Sequence, residues 1–125
     1  MVDAQREGKR KVIVWGTGNP SREFLYVNDA AEGILLAAEK YEKPEPVNLG
    51  SGKEITIRDL VKTVAEAARY RGEVIWDTSK PDGQPRRTLD TRHARVEFGF
   101  IAKTSLKQGI KRTVDFYQKQ SATVS

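Results

Sequence analysis

Residues 12–24, Val-Ile-Val-Trp-Gly-Thr-Gly-Asn-Pro-Ser-Arg-Glu-Phe, decide how this 125-residue chain is interpreted. The β-branched run ending at Trp15 predicts a short strand, and the Gly-Thr-Gly that follows predicts a tight turn. Residues 23–27 then predict a second extended segment. Further along the chain, short strands are indicated over residues 46–49 and 73–76.

Helices alternate with these strands. Apolar residues recur at helical spacing and predict helices over residues 29–40, 56–70, 91–98 and from residue 104 onward. Asn28 and Asp29 are candidate N-caps of the first helix, and Thr104 is the candidate N-cap of the last. Thr56 and Asp59 have the spacing of a capping box. The alternation predicts an α/β fold with short strands and about three to four helices.

Composition narrows the function classes. The chain is 38% hydrophobic and 31% charged, which is typical of a soluble globular protein, and no apolar run approaches the ~20 residues that span a bilayer. The polar start is unlike a signal peptide, so a cytoplasmic location is expected. There is no cysteine and His93 is the only histidine, which excludes thiolate catalysis, disulfides and a multi-histidine metal site within one chain.

The net charge of +5 fits an anionic ligand, although it also fits an ordinary mixed-charge surface. Neither glycine pair completes a dinucleotide fingerprint, because Ser21 and Ile55 stand where the third glycine is required. No tyrosine is followed four residues later by lysine, so the Tyr/Lys pair of short-chain reductases is absent. We therefore expect no catalytic, cofactor-binding or metal-binding residues.

Two arginine-bearing turns are the candidate binding elements. Arg22 follows a Gly/Pro turn, where a guanidinium can grip a phosphate, or it forms an ion pair with Glu23 or Asp29. Trp15 either stacks on a ring or belongs to the core. The second turn is a Pro/Gly loop over residues 79–87. It contains Asp82, whose carboxylate can accept from sugar or ribose hydroxyls, and basic residues at its ends, Lys80, Arg86 and Arg87. The alternative is a solvated loop.

These phrases resemble the extended short-chain dehydrogenase/reductase (SDR) superfamily, the NAD-dependent epimerase/dehydratase family. The resemblance covers about residues 12–118. It rests on Val-Trp-Gly-Thr-Gly, Arg-Glu-Phe-Leu-Tyr-Val, Val-Asn-Leu-Gly-Ser-Gly and, most specifically, Ser-Lys-Pro-Asp-Gly-Gln-Pro-Arg at residues 79–86. The last phrase is similar to GDP-L-fucose-synthase-like members, NADP-dependent epimerase/reductases that act on GDP-4-keto-6-deoxy-mannose.

The resemblance implies the C-terminal, substrate-binding portion of a Rossmann-type extended SDR with the cofactor half absent. It implies Trp15 lining the pocket of a nucleotide-diphosphate-sugar, Arg22 and Arg87 near the diphosphate, and Asp82 on hydroxyls. Arg87 stands where the family usually has lysine, which keeps the charge but changes the geometry. NADP is the cofactor expected for the full-length enzyme, and none is expected to bind this chain alone.

Three regions are expected: a flexible tail at 1–11, or the continuation of an upstream segment; the nucleotide-sugar-binding region at 12–118; and a flexible tail at 119–125. Alone, the chain should be inactive. One alternative is a non-catalytic module that self-associates as a dimer or domain-swapped oligomer, because removing the cofactor half would expose apolar faces. A nucleic-acid-binding domain is the weaker alternative, since aromatic residues do not interleave with the basic ones.

Overall fold

A computed structural model describes residues 1–123, and side chains as far as residue 120. Helices and short strands alternate along the chain, which confirms the mixed α/β character. In chain order the elements are α1 (Val2–Arg6), β1 (Lys11–Trp15), β2 (Ser21–Glu23), α2 (Val27–Lys40), β3 (Glu54–Thr56), α3 (Ile57–Ala67), β4 (Glu73–Asp77), β5 (Arg86–Arg87), α4 (Arg92–Phe98) and α5 (Leu106–Thr123).

The strands form two small sheets. β1 and β4 pair in parallel, from Lys11 opposite Glu73 to Trp15 opposite Asp77. In the second sheet β2 is central, with β3 antiparallel on one side and β5 parallel on the other. Residues 16–20 connect the two sheets, so the turn after Trp15 fixes how one sheet is placed against the other.

Two apolar clusters hold these elements together. The first contains Ala4, Ala68, Tyr70 and Val114, where α1 and α5 meet the end of α3. The second contains Ala94, Phe98 and Phe100, against which the inner face of α2 packs. Gly33 lies where α2 crosses Phe100, and a β-carbon there would come within 2.9 Å of the phenylalanine ring.

The two ends of the chain are more regular than the sequence indicated. Residues 1–11, expected to be a tail, contain α1 and the first residue of β1. Ala4 is only 7% exposed because it packs in the first cluster. At the other end α5 continues to Thr123, so residues 119–123 are helical instead of irregular. The last two residues of the predicted tail lie outside the described residues.

The predicted strand at residues 46–49 was wrong as a strand, although its side-chain pattern is present. Val47 and Leu49 pack on the second cluster, and Asn48 between them is exposed. Within residues 1–123 no neighbouring strand pairs with this segment. Since a strand needs a ladder of backbone hydrogen bonds to a neighbour, alternation alone does not create one.

The capping predictions had mixed outcomes. The Thr56–Asp59 capping box is confirmed: Thr56 Oγ1 accepts from Asp59 N at 3.1 Å and donates to Asp59 Oδ2 at 2.7 Å. The N-cap of α2 is Tyr26, so Asn28 and Asp29 lie inside the helix. At α5 it is Ser105 whose hydroxyl accepts from the backbone, at Gln108 N.

Asp29 caps a different segment from the one predicted. Its carboxylate is buried and accepts from Lys103 N at 3.0 Å, Thr104 N at 2.8 Å and Thr104 Oγ1 at 2.8 Å. Burial alone would raise the pKa of Asp29, but the hydrogen bonds from Thr104 and Lys103 outweigh it, so the pKa is lowered. Asp29 therefore ties the start of α2 to the segment that leads into α5.

One side of α2 carries an apolar stripe without a partner among the described residues. Val27, Ile34 and Leu35 are 68%, 61% and 63% exposed, and Ala31 and Ala38 continue the stripe at helical spacing. The opposite side of the helix packs on the second cluster. The helix therefore has two apolar faces, one buried and one exposed.

Candidate functional site

The candidate site is built around the turn that follows β1. Gly16 and Gly18 have φ of +83° and +78°, backbone conformations that residues with a β-carbon rarely adopt. Gly16 N donates to Asp77 O at 2.9 Å, which continues the β1–β4 pairing by one residue. The ring of Trp76 lies under Gly18, and a β-carbon at Gly18 would come within 2.6 Å of it. Glycine is therefore required at both positions.

Asp82 connects the second predicted turn to the first. Its carboxylate accepts from Thr17 N and from Thr17 Oγ1, both at 2.6 Å. The hydrogen bond from the Thr17 hydroxyl, and then that from the Thr17 backbone, hold the pKa of Asp82 below its usual range. Both oxygens of the Asp82 carboxylate thus accept hydrogen bonds from within the chain, whereas the sequence predicted that Asp82 binds the hydroxyl groups of a ligand.

Arg22 and Arg87 lie side by side. They are register partners in the parallel pairing of β2 with β5, and paired residues of neighbouring strands project to the same face of a sheet. Ser21 N donates to Pro85 O at 3.0 Å and so fixes this register. Gly83 lies against the guanidinium of Arg22: a β-carbon on Gly83 would be 3.9 Å from Arg22 Nη2.

Neither arginine is neutralised by a carboxylate within the part of the chain whose side chains are described. The ion pairs considered for Arg22 do not form. Glu23 accepts from Gly52 N at 3.1 Å and from Leu89 N at 3.2 Å, and Asp29 is engaged at the start of α5. Nη1 of the Arg22 guanidinium donates to the Ser21 carbonyl at 2.6 Å.

Arg86 differs from Arg87 because its guanidinium pairs with a carboxylate. Its guanidinium donates to both oxygens of Glu54 on β3, at 2.8–2.9 Å, and Ser21 Oγ also donates to Glu54. The hydrogen bond from Arg86 is the main reason that the pKa of Glu54 is lowered. Arg86 thus joins β3 to β5 around β2, which leaves Arg87 as the available cation of the pair.

The two tryptophans have opposite environments. Trp15 is 69% exposed, and Lys80 Nζ lies 5.7 Å from the centre of its ring, a cation–π contact. Trp15 is therefore not the core residue that a strand tryptophan usually is, and its face is open to a ring-containing ligand. Trp76, by contrast, is covered by the Gly16–Gly18 turn and by the guanidinium of Arg58, 4.6 Å from its ring centre.

Arg58 was missed by sequence reasoning. It lies in the first turn of α3, donates a short hydrogen bond to the Thr17 carbonyl, and its own N–H donates to Gly18 O at 2.9 Å. The sequence around Arg58 does not indicate that it binds this turn, because its partners Thr17 and Gly18 lie 41 and 40 residues earlier in the chain.

The remaining polar residues give no further site. Arg92 pairs with Asp90 and lowers the pKa of that carboxyl to about 2, and His93 faces Glu97 one turn along α4. Among the described residues no group of three or more His, Cys, Asp or Glu could hold a metal ion. No helix in that part of the chain is long and apolar enough to cross a membrane.

The glycine pairs do not fit a dinucleotide. After Gly16 and Gly18 the chain enters β2, and after Gly50 and Gly52 it enters β3, so neither pair opens a helix onto a pyrophosphate. The residues described here therefore lack the turn that holds NADP in dinucleotide-binding folds.

Comparison with known proteins shows which proteins this chain is similar to. Residues 1–50 match the model of the NAD dependent epimerase/dehydratase family. GDP-L-fucose synthase 1 of Arabidopsis thaliana is 42% identical over 117 residues, which are 94% of this chain and 36% of the plant protein. The chain is therefore similar, over part of their length, to proteins of the NAD-dependent epimerase/dehydratase family. It spans about a third of the length of the curated relatives it matches.

Two solved structures share the fold of this chain over part of their own length. A GDP-L-fucose synthetase from Naegleria fowleri bound to NADP superposes with a TM-score of 0.87 and 33% identity, over 97% of this chain and 38% of that one. A UDP-glucose 4-epimerase from Thermotoga maritima, solved with UDP-glucose, gives a TM-score of 0.83 and 30% identity, over 95% and 38%. One of these two structures was solved with NADP and the other with a nucleotide-sugar.

Proposed function

We propose that residues 12–118 are the nucleotide-sugar-binding, C-terminal part of an NADP-dependent epimerase/reductase of the GDP-L-fucose-synthase type. The substrate would be GDP-4-keto-6-deoxy-mannose or a related nucleotide-sugar. The observation that carries the proposal is the pair formed by Arg22 and Arg87, which are adjacent on one sheet face and form no salt bridge with the described carboxylates. Two forked guanidinium groups at neighbouring positions suit the oxygens of a diphosphate.

Trp15 supplies the second element of the proposed pocket. An exposed indole, with Lys80 already near its ring, offers a flat apolar surface to a base or sugar. The turn at residues 16–18 links Trp15 to the loop that carries Asp82. The proposed pocket therefore combines an anion grip with a stacking surface.

NADP would supply the hydride in the complete enzyme. The part of the chain described here offers no glycine fingerprint and no Tyr/Lys pair, so the cofactor would be held by another segment. We expect the isolated chain to catalyse nothing. NADPH-dependent reduction of a keto-sugar by the purified chain would refute that expectation.

Calorimetric titration with GDP-mannose as the probe tests the binding role. We expect weak binding by the isolated chain, and R22A or R87A should each lower the affinity by about tenfold or more, because each loses charge-assisted bonds to phosphate. R92A is the matched control: Arg92 is also an exposed arginine, but Asp90 already neutralises it. Equal affinities for the R22A, R87A and R92A variants would refute the proposed grip.

The exposed stripe on α2 favours a second candidate, a non-catalytic module that self-associates. Val27, Ile34 and Leu35 form an apolar strip of a kind that usually marks an interface. Light scattering of the isolated chain should then show a dimer or a domain-swapped oligomer, and an Ile34→Glu/Leu35→Glu variant should shift it toward monomer. Val96→Glu is the control, since Val96 is 80% exposed but lies on α4. A monodisperse wild-type monomer would count against this candidate.

A further inference from the structure

Thr17 is a junction between three segments of the chain. Its N–H and its hydroxyl donate to the two oxygens of Asp82, and its hydroxyl oxygen accepts from Asn19 N at 3.1 Å. Its carbonyl accepts from the guanidinium of Arg58. The N–H, hydroxyl and carbonyl of this one residue are therefore all engaged. We call Thr17, Asp82 and Arg58 the Thr17 junction.

The position of Asp82 determines where the loop over residues 79–85 lies. Asp82 is close enough to Gly16 that any β-carbon there would collide with its carboxylate. Three residues later Pro85 O accepts from Ser21 N, and β5 begins at the next residue. The carboxylate thus holds the middle of the segment whose end places Arg87 beside Arg22.

We propose that Asp82 is a positioning residue for anion binding: it acts through Thr17 to set the spacing of Arg22 and Arg87, and it does not contact ligand hydroxyls. This inference rests on the proposed function and reassigns one of its residues. The geometry favours it because both oxygens of Asp82 are directed at Thr17 at 2.6 Å. Each oxygen therefore already accepts a hydrogen bond from within the chain, and the carboxylate is held in place before any ligand binds.

Inorganic diphosphate separates the two roles of Asp82, because it has no hydroxyl groups. If Asp82 contacted only hydroxyls, its removal would leave diphosphate binding unchanged. It could even strengthen that binding, since a negative charge near two guanidinium groups is lost. If Asp82 positions the arginines, its removal weakens diphosphate binding in spite of the more favourable charge.

The experiment is a double-mutant cycle on the affinity for diphosphate, with Asp82→Ala, Thr17→Val and the double variant. We expect each single variant to lose about tenfold in affinity and the double variant to lose little more, because both changes open the same contact. Thr17→Ser keeps the hydroxyl and should restore binding. Asp90→Ala removes an equal charge elsewhere in the second half of the chain and should not weaken it. Unchanged or tighter binding by the D82A variant, or additive losses, would overturn the proposal.

A ligand-free measurement keeps this result separate from the proposed function. Hydrogen exchange at the amides of Thr17 and of the non-proline residues among 79–85 should accelerate in the D82A and T17V variants and remain at the wild-type rate in the T17S and D90A variants. Wild-type exchange rates in the D82A variant would refute the junction. A different outcome is that exchange behaves as expected but the wild-type chain binds neither diphosphate nor GDP-mannose. The Thr17 junction would then stand, while the proposed function would fail. The role of Asp82 in positioning a ligand grip would be overturned with it.

Discussion

Replacing Asp29 with alanine should be among the most destabilising single changes in this chain. The carboxylate is only 4% exposed and accepts three hydrogen bonds, from Lys103 N, Thr104 N and Thr104 Oγ1. Alanine would leave two backbone N–H groups without their acceptor in a partly buried place. Hydrogen bonds to charged groups contribute about 1.5–3 kcal/mol each, and losses within one network are not additive.

We expect Asp29→Ala to lower the free energy of unfolding by about 3–4 kcal/mol, a large share of the roughly 5–15 kcal/mol typical of a domain. In urea this moves the unfolding midpoint down by about 1–4 M, given slopes of about 1–3 kcal/mol/M. The measurement is equilibrium unfolding followed by circular dichroism. Thr104→Val removes one of the three bonds and should lose a smaller amount.

Glu32→Gln is the matched control. Glu32 lies on the same helix and pairs with the side chain of Lys103 at 3.0 Å, but both side chains are more than half exposed. Exposed pairs contribute about 0–1 kcal/mol, so this change should be close to neutral. If Asp29→Ala cost no more than Glu32→Gln, the carboxylate would not be the tie between α2 and α5 that the geometry indicates.

The pH dependence of the same variant follows from the lowered pKa of Asp29. Because the folded-state pKa lies below the unfolded value, the stabilisation is complete above the unfolded value of 3.8 and disappears as the pH falls through the folded pKa. The gap in unfolding free energy between wild type and the D29A variant should therefore stay constant near neutral pH and narrow below about pH 4. A gap that widened on acidification would contradict the assigned direction.

Two further predictions concern the turn and a helix cap. Gly16→Ala should be more destabilising than Gly99→Ala. Both glycines have positive φ, but only at Gly16 would the new β-carbon collide with Asp82. Thermal unfolding of the two variants measures the difference, and equal losses of stability would argue against that close contact. Thr56→Ala should lower the unfolding free energy by about 1 kcal/mol, because the N–H of Asp59 loses its acceptor. Thr56→Ser keeps the hydroxyl and should keep that stability. Identical unfolding free energies for the two variants would show that the cap adds nothing.

Local signals in the sequence predicted local structure well. The strands ending at Trp15 and Trp76 appear within one residue of their predicted limits. Gly99 ends α4 in the left-handed conformation, and the Thr56–Asp59 box forms as its spacing indicates. In each case both partners lie within a few residues, so the information is contained in the segment itself.

Long-range partners could not be predicted in the same way. The position of Asp29 suggests an N-cap, but its carboxylate accepts hydrogen bonds from residues 103 and 104, more than 70 positions later. β5 was missed because a two-residue strand after a proline has no period to detect, although it is this strand that brings Arg87 to Arg22. The family resemblance grouped these arginines as ligands, whereas the register explains why they are adjacent.

Residues 46–49 and the exposed stripe of α2 both lack a partner among the residues that the structure describes. Val47 and Leu49 face the second cluster, yet no strand pairs with their backbone, and on the preceding helix Ile34 and Leu35 are more than half exposed. Residues 46–49 keep the side-chain alternation of a strand but have no strand partner among residues 1–123, and exposed apolar patches often mark an interface. The arginine pair, by contrast, is complete within the chain, since β2, β5 and the Thr17 junction all lie inside it. The proposed binding of an anion and the proposed self-association are therefore separable, because they are located on different elements.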